Sequence, residues 1–313
     1  MGYNEEGIQV IDLIIAIIAG GMVLTAPILY AAIGEVYDER AGVINLGIEA
    51  IISLSAFTAL YVCYLTGSYL AGTLAALVVG GAIALIHSFA SVKIGINQLI
   101  SGLLILTLAD GIANFSYSVV AETAVPIVTP LQAIHLPILS DIPILGPILF
   151  QHDLFTYGAF ICAIVFGLIL YRTTWGLKIR GVGENPVACD AAGINVNRIR
   201  HMCVVFSGVM AGLAGAAITL GYLGLFDQGI AAGRGWIAII VVIFSRWSPF
   251  RAIVGSMIFG IGYSAAATLI GAGVGVSYYF LLTMPYLMAL ILIVLLVRKT
   301  KGPAGLTIPY RRN

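Results

Sequence analysis

Apolar residues in this chain come in long unbroken runs, without the alternation of a strand or the single apolar face of a soluble helix. Bounded by charges or by Gly and Pro clusters, the runs cover residues 8–33, 48–65, 69–90, 94–120, 154–171, 202–226, 235–244, 252–270 and 278–297. A helix rising about 1.5 Å per residue needs about 20 mostly apolar residues to cross a hydrocarbon core roughly 30 Å thick. Most of the runs meet that length, so the pattern predicts about nine crossings. A strand architecture does not fit, because backbone groups facing lipid must be satisfied within their own segment and the runs lack the alternation of a barrel. The fold class is therefore all-α and integral to a membrane, a polytopic helical bundle with broken or re-entrant segments.

Two places interrupt the pattern. Residues 34–47 (GEVYDERAGVINLG) set Glu35, Asp38, Glu39, Arg40 and Asn45 between apolar runs, and the run that begins at Gly235 is too short for a full span. Irregular backbone at membrane depth is tolerated only where protein or a watery cavity surrounds it, so both breaks are expected to point inward. Residues 121–152 hold Pro126, Pro130, Pro137, Pro143 and Pro147 and read as an external loop with short helical or extended pieces.

Charge placement adds an orientation. If nine helices alternate, Arg40, Lys93, Arg172, Lys178, Arg180, Arg198, Arg200, Arg246, Arg251 and the tail residues Arg298, Lys299, Lys301, Arg311 and Arg312 fall on one side. The positive-inside rule makes that side the cytoplasm. The other side receives Glu5, Glu6, Glu122, Asp141, Asp153, Asp227 and one basic residue, Arg234, which is expected to contact an external protein or to steady the short helix behind it. The chain thus starts outside and ends in the cytoplasm, as one membrane unit over residues 1–313 with a cytoplasmic loop at 172–200 and a tail at 298–313.

Composition agrees: 60% of residues are hydrophobic and 9% charged, against roughly 25% charged in soluble domains. Cys63, Cys162, Cys189 and Cys203 lack CxxC spacing and read as small hydrophobes. The first apolar run has no basic flank and is too long for a signal peptide, so the chain's start reads as the approach to the first helix. The 37 glycines, among them Gly208, Gly212, Gly215, Gly221 and Gly260, read mainly as close-packing positions between helices.

The loop at 172–200 contains GENPVACDAAGI. Asn185 suits an N-cap, Pro186 the first helical position and Gly193 a left-handed stop, which predicts a two-turn helix over 186–192. Such a helix below the bundle either docks a partner or rests on headgroups. Within the spans, Asp110 and Asn114 are four apart and share a helix face, so they line a polar route or bond a neighbouring helix. Asn45 and Asn97 are further candidates for the path. Glu49 reads as the start of a helix, where the dipole favours a carboxylate. The four histidines show no metal-ligand spacing, no GxxxxGK[ST] loop is present, and no cluster of nucleophile and base suggests an enzyme.

Three segments resemble one known family. ERAGVINLGIEA (39–50), GENPVACDAAGI (183–194) and GRGWIAIIVVIFSRWSP (233–249) are similar, in matching order, to the permease subunits of bacterial ABC importers of the ribose and nucleoside type, which are related to the branched-chain amino-acid permeases. The first and third look closest to the smaller of two paired permeases in nucleoside importers that work with a basic-membrane-protein-type lipoprotein. The resemblance implies a multi-pass permease of the bacterial inner membrane, set in lipid and binding neither nucleic acid, metal nor its own cofactor. Its partners would be a second, paralogous permease, two ATPase domains that use ATP and Mg²⁺, and an extracellular binding lipoprotein that delivers nucleosides or related ribosides. Gly183, Glu184, Asn185, Pro186, Ala188, Ala192 and Gly193 would then form the ATPase-coupling surface, and Cys189 stands where the family often has alanine. A simple-sugar or branched-chain amino-acid permease is the alternative within the class. An ion-coupled transporter using Glu49 and Asp110 is the alternative outside it.

Overall fold

A computed structural model describes residues 2–272, 277–296 and 301–311. It is helical almost throughout: α1 (Gly2–Arg40), α2 (Ile48–Thr66), α3 (Tyr69–Ser88), α4 (Gln98–Ala121), α5 (Leu154–Arg172), α6 (Thr174–Glu184), α7 (Pro186–Ala191), α8 (Val196–Ala216), α9 (Arg234–Phe244), α10 (Pro249–Gly271) and α11 (Tyr278–Leu296). Among the described residues, seven helices are long and apolar enough to cross a membrane, namely α1 to α5, α8 and α10. The other two expected crossings differ from these. Helix α9 has 11 residues, about 16 Å, and cannot cross alone, while α11 runs for 19 residues and the final position of its run, Val297, lies outside the described residues. So do Arg298, Lys299 and Arg312 of the expected tail.

The first interruption is shorter than its polarity suggested. Helix α1 does not stop where its apolar run stops at Ile33 but continues to Arg40, leaving only residues 41–47 irregular. Glu35, Asp38 and Glu39 lie three and four positions apart on one helix face and are fully buried. The Pro-rich segment carries a two-residue antiparallel pairing, with β1 (Ile134–His135) opposite β2 (Gln151–His152), and one short helical turn at Gly146–Phe150.

Small residues set the interhelical distances. Helix α8 is the buried centre of the bundle. It meets α3 where Gly80 faces Gly208 and Gly212: a methyl group on Gly208 would overlap Ala84 and the Gly80 carbonyl. Gly215 packs in the same way against the α2 backbone at Ile52 and Ala56, and Gly21 and Gly260 join α1 to α10. Backbones this close gain dispersion contacts that lipid does not compete for.

Gly208→Val should therefore force α3 and α8 apart and cost about 1–3 kcal/mol, as overpacking does. Gly111→Ala, where no atom lies within 4 Å, should cost little. Thermal unfolding in detergent checks both.

Candidate functional site

Three places carry polar chemistry inside or beneath the bundle. The first is the meeting of two helix N-termini. Helix α2 begins at Ile48 and α9 at Arg234, and Gly235 lies so near the Glu49 backbone that a side chain there would collide with the Glu49 Cα. The Glu49 carboxylate accepts from Gly233 N and Gly235 N, each at 2.6 Å. An anion on the open amides of a helix start is favourable, and at a buried start it replaces the water those amides lack. Glu49 does begin α2, as its spacing implied, but its carboxylate serves the helix 184 positions further on.

The second is a buried polar knot where α1 ends. Glu35 accepts from Asn45 N at 2.9 Å and from Ser207 Oγ at 3.1 Å, and Glu39 accepts from Trp247 Nε1. Gln98 accepts from Ile44 N at 3.0 Å and donates to Gly42 O at 3.3 Å, while His87 bonds Ile44 O at 3.1 Å. Glu35, Gln98 and His87 therefore tie the irregular backbone at 41–47 to α1, α4 and α3, while Glu39 ties α1 to the α9–α10 turn. Arg200 is 1% exposed, and donates to Ala41 O, Ile308 O and Gly305 O at 3.1, 2.8 and 3.3 Å. The Asp38 carboxyl lies within reach of its charge, and the Asp38 oxygens make no hydrogen bond among the described residues. Arg40 donates to the carbonyls of Arg246 and Trp247, both 3.1 Å away. These two residues hold positive φ angles of 51° and 55°, a conformation side chains disfavour and surrounding contacts must fix.

The third is the α6–α7 elbow. The Asn185 side chain accepts from Ala188 N at 3.0 Å, Pro186 opens α7 and Gly193 follows with φ +82°. The helix thus has the caps its sequence predicted, one residue shorter than expected and with no buried residue; Val187 is 67% exposed. Cys189 packs its sulfur into the space left by the missing side chain of Gly181, and burial pushes its thiol pKa up. Gly183 sits where any side chain would strike the Arg40 carbonyl, so α6 ends directly on the end of α1. Glu184 is 4.0 Å from Arg40.

Residues 302–308 pass between the elbow and the knot. Gly305 N donates to Gly183 O at 2.7 Å, Ala304 N to Glu184 Oε2 at 3.4 Å, and Gly302 lies against the Trp247 ring. With Arg200 on the carbonyls of Gly305 and Ile308, this segment straps α6 and α7 to α8. Nothing in its sequence signals that role, because its bonds are made almost wholly by backbone atoms.

The expected path residues do not gather at one point. Asn114 Nδ2 donates to Asp110 Oδ2 at 3.0 Å, so these two pair along the half-exposed face of α4, in line with Thr107, Gly111 and Ser118. Asn97 caps α4, accepting from Leu99 N and Ile100 N. Asn45 is fully buried and accepts from Gly47 N at 3.0 Å. Arg234, for which an external contact and a tie to the short helix were both open, is 92% buried at the start of α9, where it bonds the carbonyls of Ile230 and Ala231.

The family model for the permease component of branched-chain amino acid transport systems matches residues 17–297. A guanosine ABC transporter permease, NupQ of Bacillus subtilis, is 30% identical over 96% of this chain and 98% of its own length. A nucleoside ABC transporter permease, NupC of Lactococcus lactis subsp. cremoris, is 30% identical over 97% and 99%. A Haloferax volcanii chain provisionally named as a glucose ABC transporter permease is 34% identical over 75% of this chain and 71% of its own. Among solved structures, a transporter described as of metal-chelate ABC type, in an inward-facing conformation, shares the fold with a TM-score of 0.50 at 14% identity, covering 91% of this chain and 85% of that one.

Arg200→Ala should release the strap and leave the carbonyls of Ala41, Gly305 and Ile308 without their donor, a loss of about 1–3 kcal/mol. The check is limited proteolysis: cleavage within 301–311 should become fast in Arg200→Ala and stay slow in Arg198→Ala.

Proposed function

The chain belongs to the family of permease components of branched-chain amino acid transport systems, and we propose that it is the permease subunit of an ATP-driven importer of nucleosides. The observation that carries the coupling half of this reading is α7: a capped helix of six residues, none of them buried, that follows directly on the end of α6, which the strap ties to α8. Exposed apolar residues such as Val187 on a rigid helix suit a protein partner. Gly183, Glu184, Asn185, Pro186, Ala188, Ala192 and Gly193 form this surface, and the partner is an ATPase on the basic, cytoplasmic side. The caps keep α7 rigid, and the strap passes its displacement to α8 and to the end of α1 without a flexible joint between.

The nucleoside half rests on two full-length relatives whose names carry that activity. The relative named for glucose supports a sugar as the second reading. The path runs along the Asp110–Asn114 face of α4, since a polar stripe on the outside of a membrane bundle is stable only against water or a second polar surface. A second permease closes that path, an extracellular binding protein loads it, and ATP with Mg²⁺ is consumed by the ATPase partners alone. The N-terminus lies outside and the cell membrane is the inner membrane of a bacterium.

Replacing residues 186–192 by a Gly/Ser stretch, or Glu184→Lys, should abolish ATP-dependent uptake of labelled nucleosides while membrane insertion is unchanged. Uptake that survives loss of the ATPase and collapses with the proton or sodium gradient contradicts the reading. Asp110→Ala should change uptake several-fold with normal yields of folded protein; loss of folded protein would assign Asp110 to packing instead.

A further inference from the structure

Beside the start of α9 lies a cavity of about 210 Å³ lined by Leu24, Tyr263, Ala266, Ala267, Ile270, Pro285 and Arg234. Apart from Arg234 and the Tyr263 ring its walls are aliphatic. The guanidinium lies 5.1 Å over the Tyr263 ring, and Nη1 donates to Ile230 O and Ala231 O at 3.1 and 3.2 Å. Nε is buried and has no partner, and Nη2 makes no hydrogen bond among the described residues. A second orphan, the buried hydroxyl of Tyr222, lies within reach of the Arg234 charge. Tyr263 and Tyr286 both donate to Ala232 O, at 2.8 and 3.1 Å, which fixes the ring that backs the guanidinium. Buried N–H groups left open beside a cavity are uncommon, because each costs the free energy of a lost hydrogen bond.

The open edge, Nε with Nη2, is a fork of two parallel donors. It fits two adjacent acceptors in one plane. An anion is disfavoured, because the Glu49 carboxylate already acts on Arg234 and a second negative charge would be buried without compensation. A neutral ring with paired acceptors needs no such compensation. The volume is below the roughly 300–1,000 Å³ of pockets for drug-sized ligands, so the cavity takes a ring system and leaves an attached sugar outside.

We infer that this cavity is a subsite for the base of a 6-oxopurine nucleoside, with the Arg234 fork on the ring nitrogen and carbonyl oxygen of its acceptor edge and the base against Tyr263. The inference rests on the nucleoside reading above. Guanine and hypoxanthine present two acceptors on that edge, whereas adenine presents one acceptor and one amino donor that would oppose the fork. Discrimination therefore follows from a single side chain.

The test is equilibrium binding of labelled inosine, guanosine and adenosine to the full chain in lipid nanodiscs, with ATP-dependent uptake measured in parallel in cells. Inosine and guanosine should bind about tenfold or more tightly than adenosine. Arg234→Lys keeps the charge but not the fork and should erase that preference. Ala267→Leu fills the cavity and should abolish binding while size-exclusion profiles stay unchanged. Equal binding of adenosine, absence of binding to the unaltered chain, or 6-oxopurine binding that is indifferent to Ala267→Leu would each overturn the subsite. Nucleoside uptake separates the two levels: it persists if only the subsite is wrong, and it is absent if the nucleoside reading itself is wrong.

Discussion

Backbone amides and carbonyls that leave a helix inside a membrane protein have no water to turn to, and this structure meets that constraint with buried polar side chains, most of them ionisable. At the start of α9 the Glu49 carboxylate supplies the acceptor. At the break after α1 the donors and acceptors come from Glu35, Gln98, His87 and Arg200. An unmet backbone group in a low-dielectric interior costs free energy comparable to a lost hydrogen bond. A buried charge that meets several of them at once recovers part of its own desolvation. Each such side chain also joins elements far apart in sequence, so the stitches that make the breaks tolerable also make the bundle rigid.

That rigidity has a direction. Arg40, Glu39 and Arg200 reach from α1 and α8 to the α9–α10 turn and to residues 302–308, and this strap in turn holds Gly183 and the neighbourhood of α7. A push on α7 thus meets backbone hydrogen bonds and the tight contact of Gly183 on Arg40 before it meets any flexible loop. The break between α1 and α2 lies on the same route, and its other side leads through Glu49 to α9 and Arg234. The end of α6, the knot and the start of α9 are joined by buried polar contacts, while the glycine seams between α3 and α8 and between α1 and α10 set the spacing in which those contacts fit.

Much of this was legible in the sequence where a signal is local. The boundaries of α7 follow from Asn185, Pro186 and Gly193 within nine positions, and the Asp110–Asn114 pair follows from helical spacing. The apolar runs located every long helix, most of them to within a few residues, although α1 and α8 begin six residues before their runs. Local signals failed where partners are distant. Three acids in five positions mark a loop to any reading of hydropathy, yet α1 continues through them because Ser207 and Trp247 wait at the far side of the fold. The partners that hold Arg234 at the start of α9, backbone carbonyls and the ring of Tyr263, carry no such local signal. The strap at 302–308 works through its backbone, which sequence does not distinguish from an ordinary tail.

The central claim is that both helix breaks are closed by buried side chains and are not open to water. Amide hydrogen exchange of the intact chain in lipid nanodiscs tests it most directly, since protection reports the opening of individual hydrogen bonds. Gly233, Gly235 and Asn45 should exchange as slowly as the interior of α8. Exchange at these amides as fast as at exposed Asp227 and Gln228 would contradict the account.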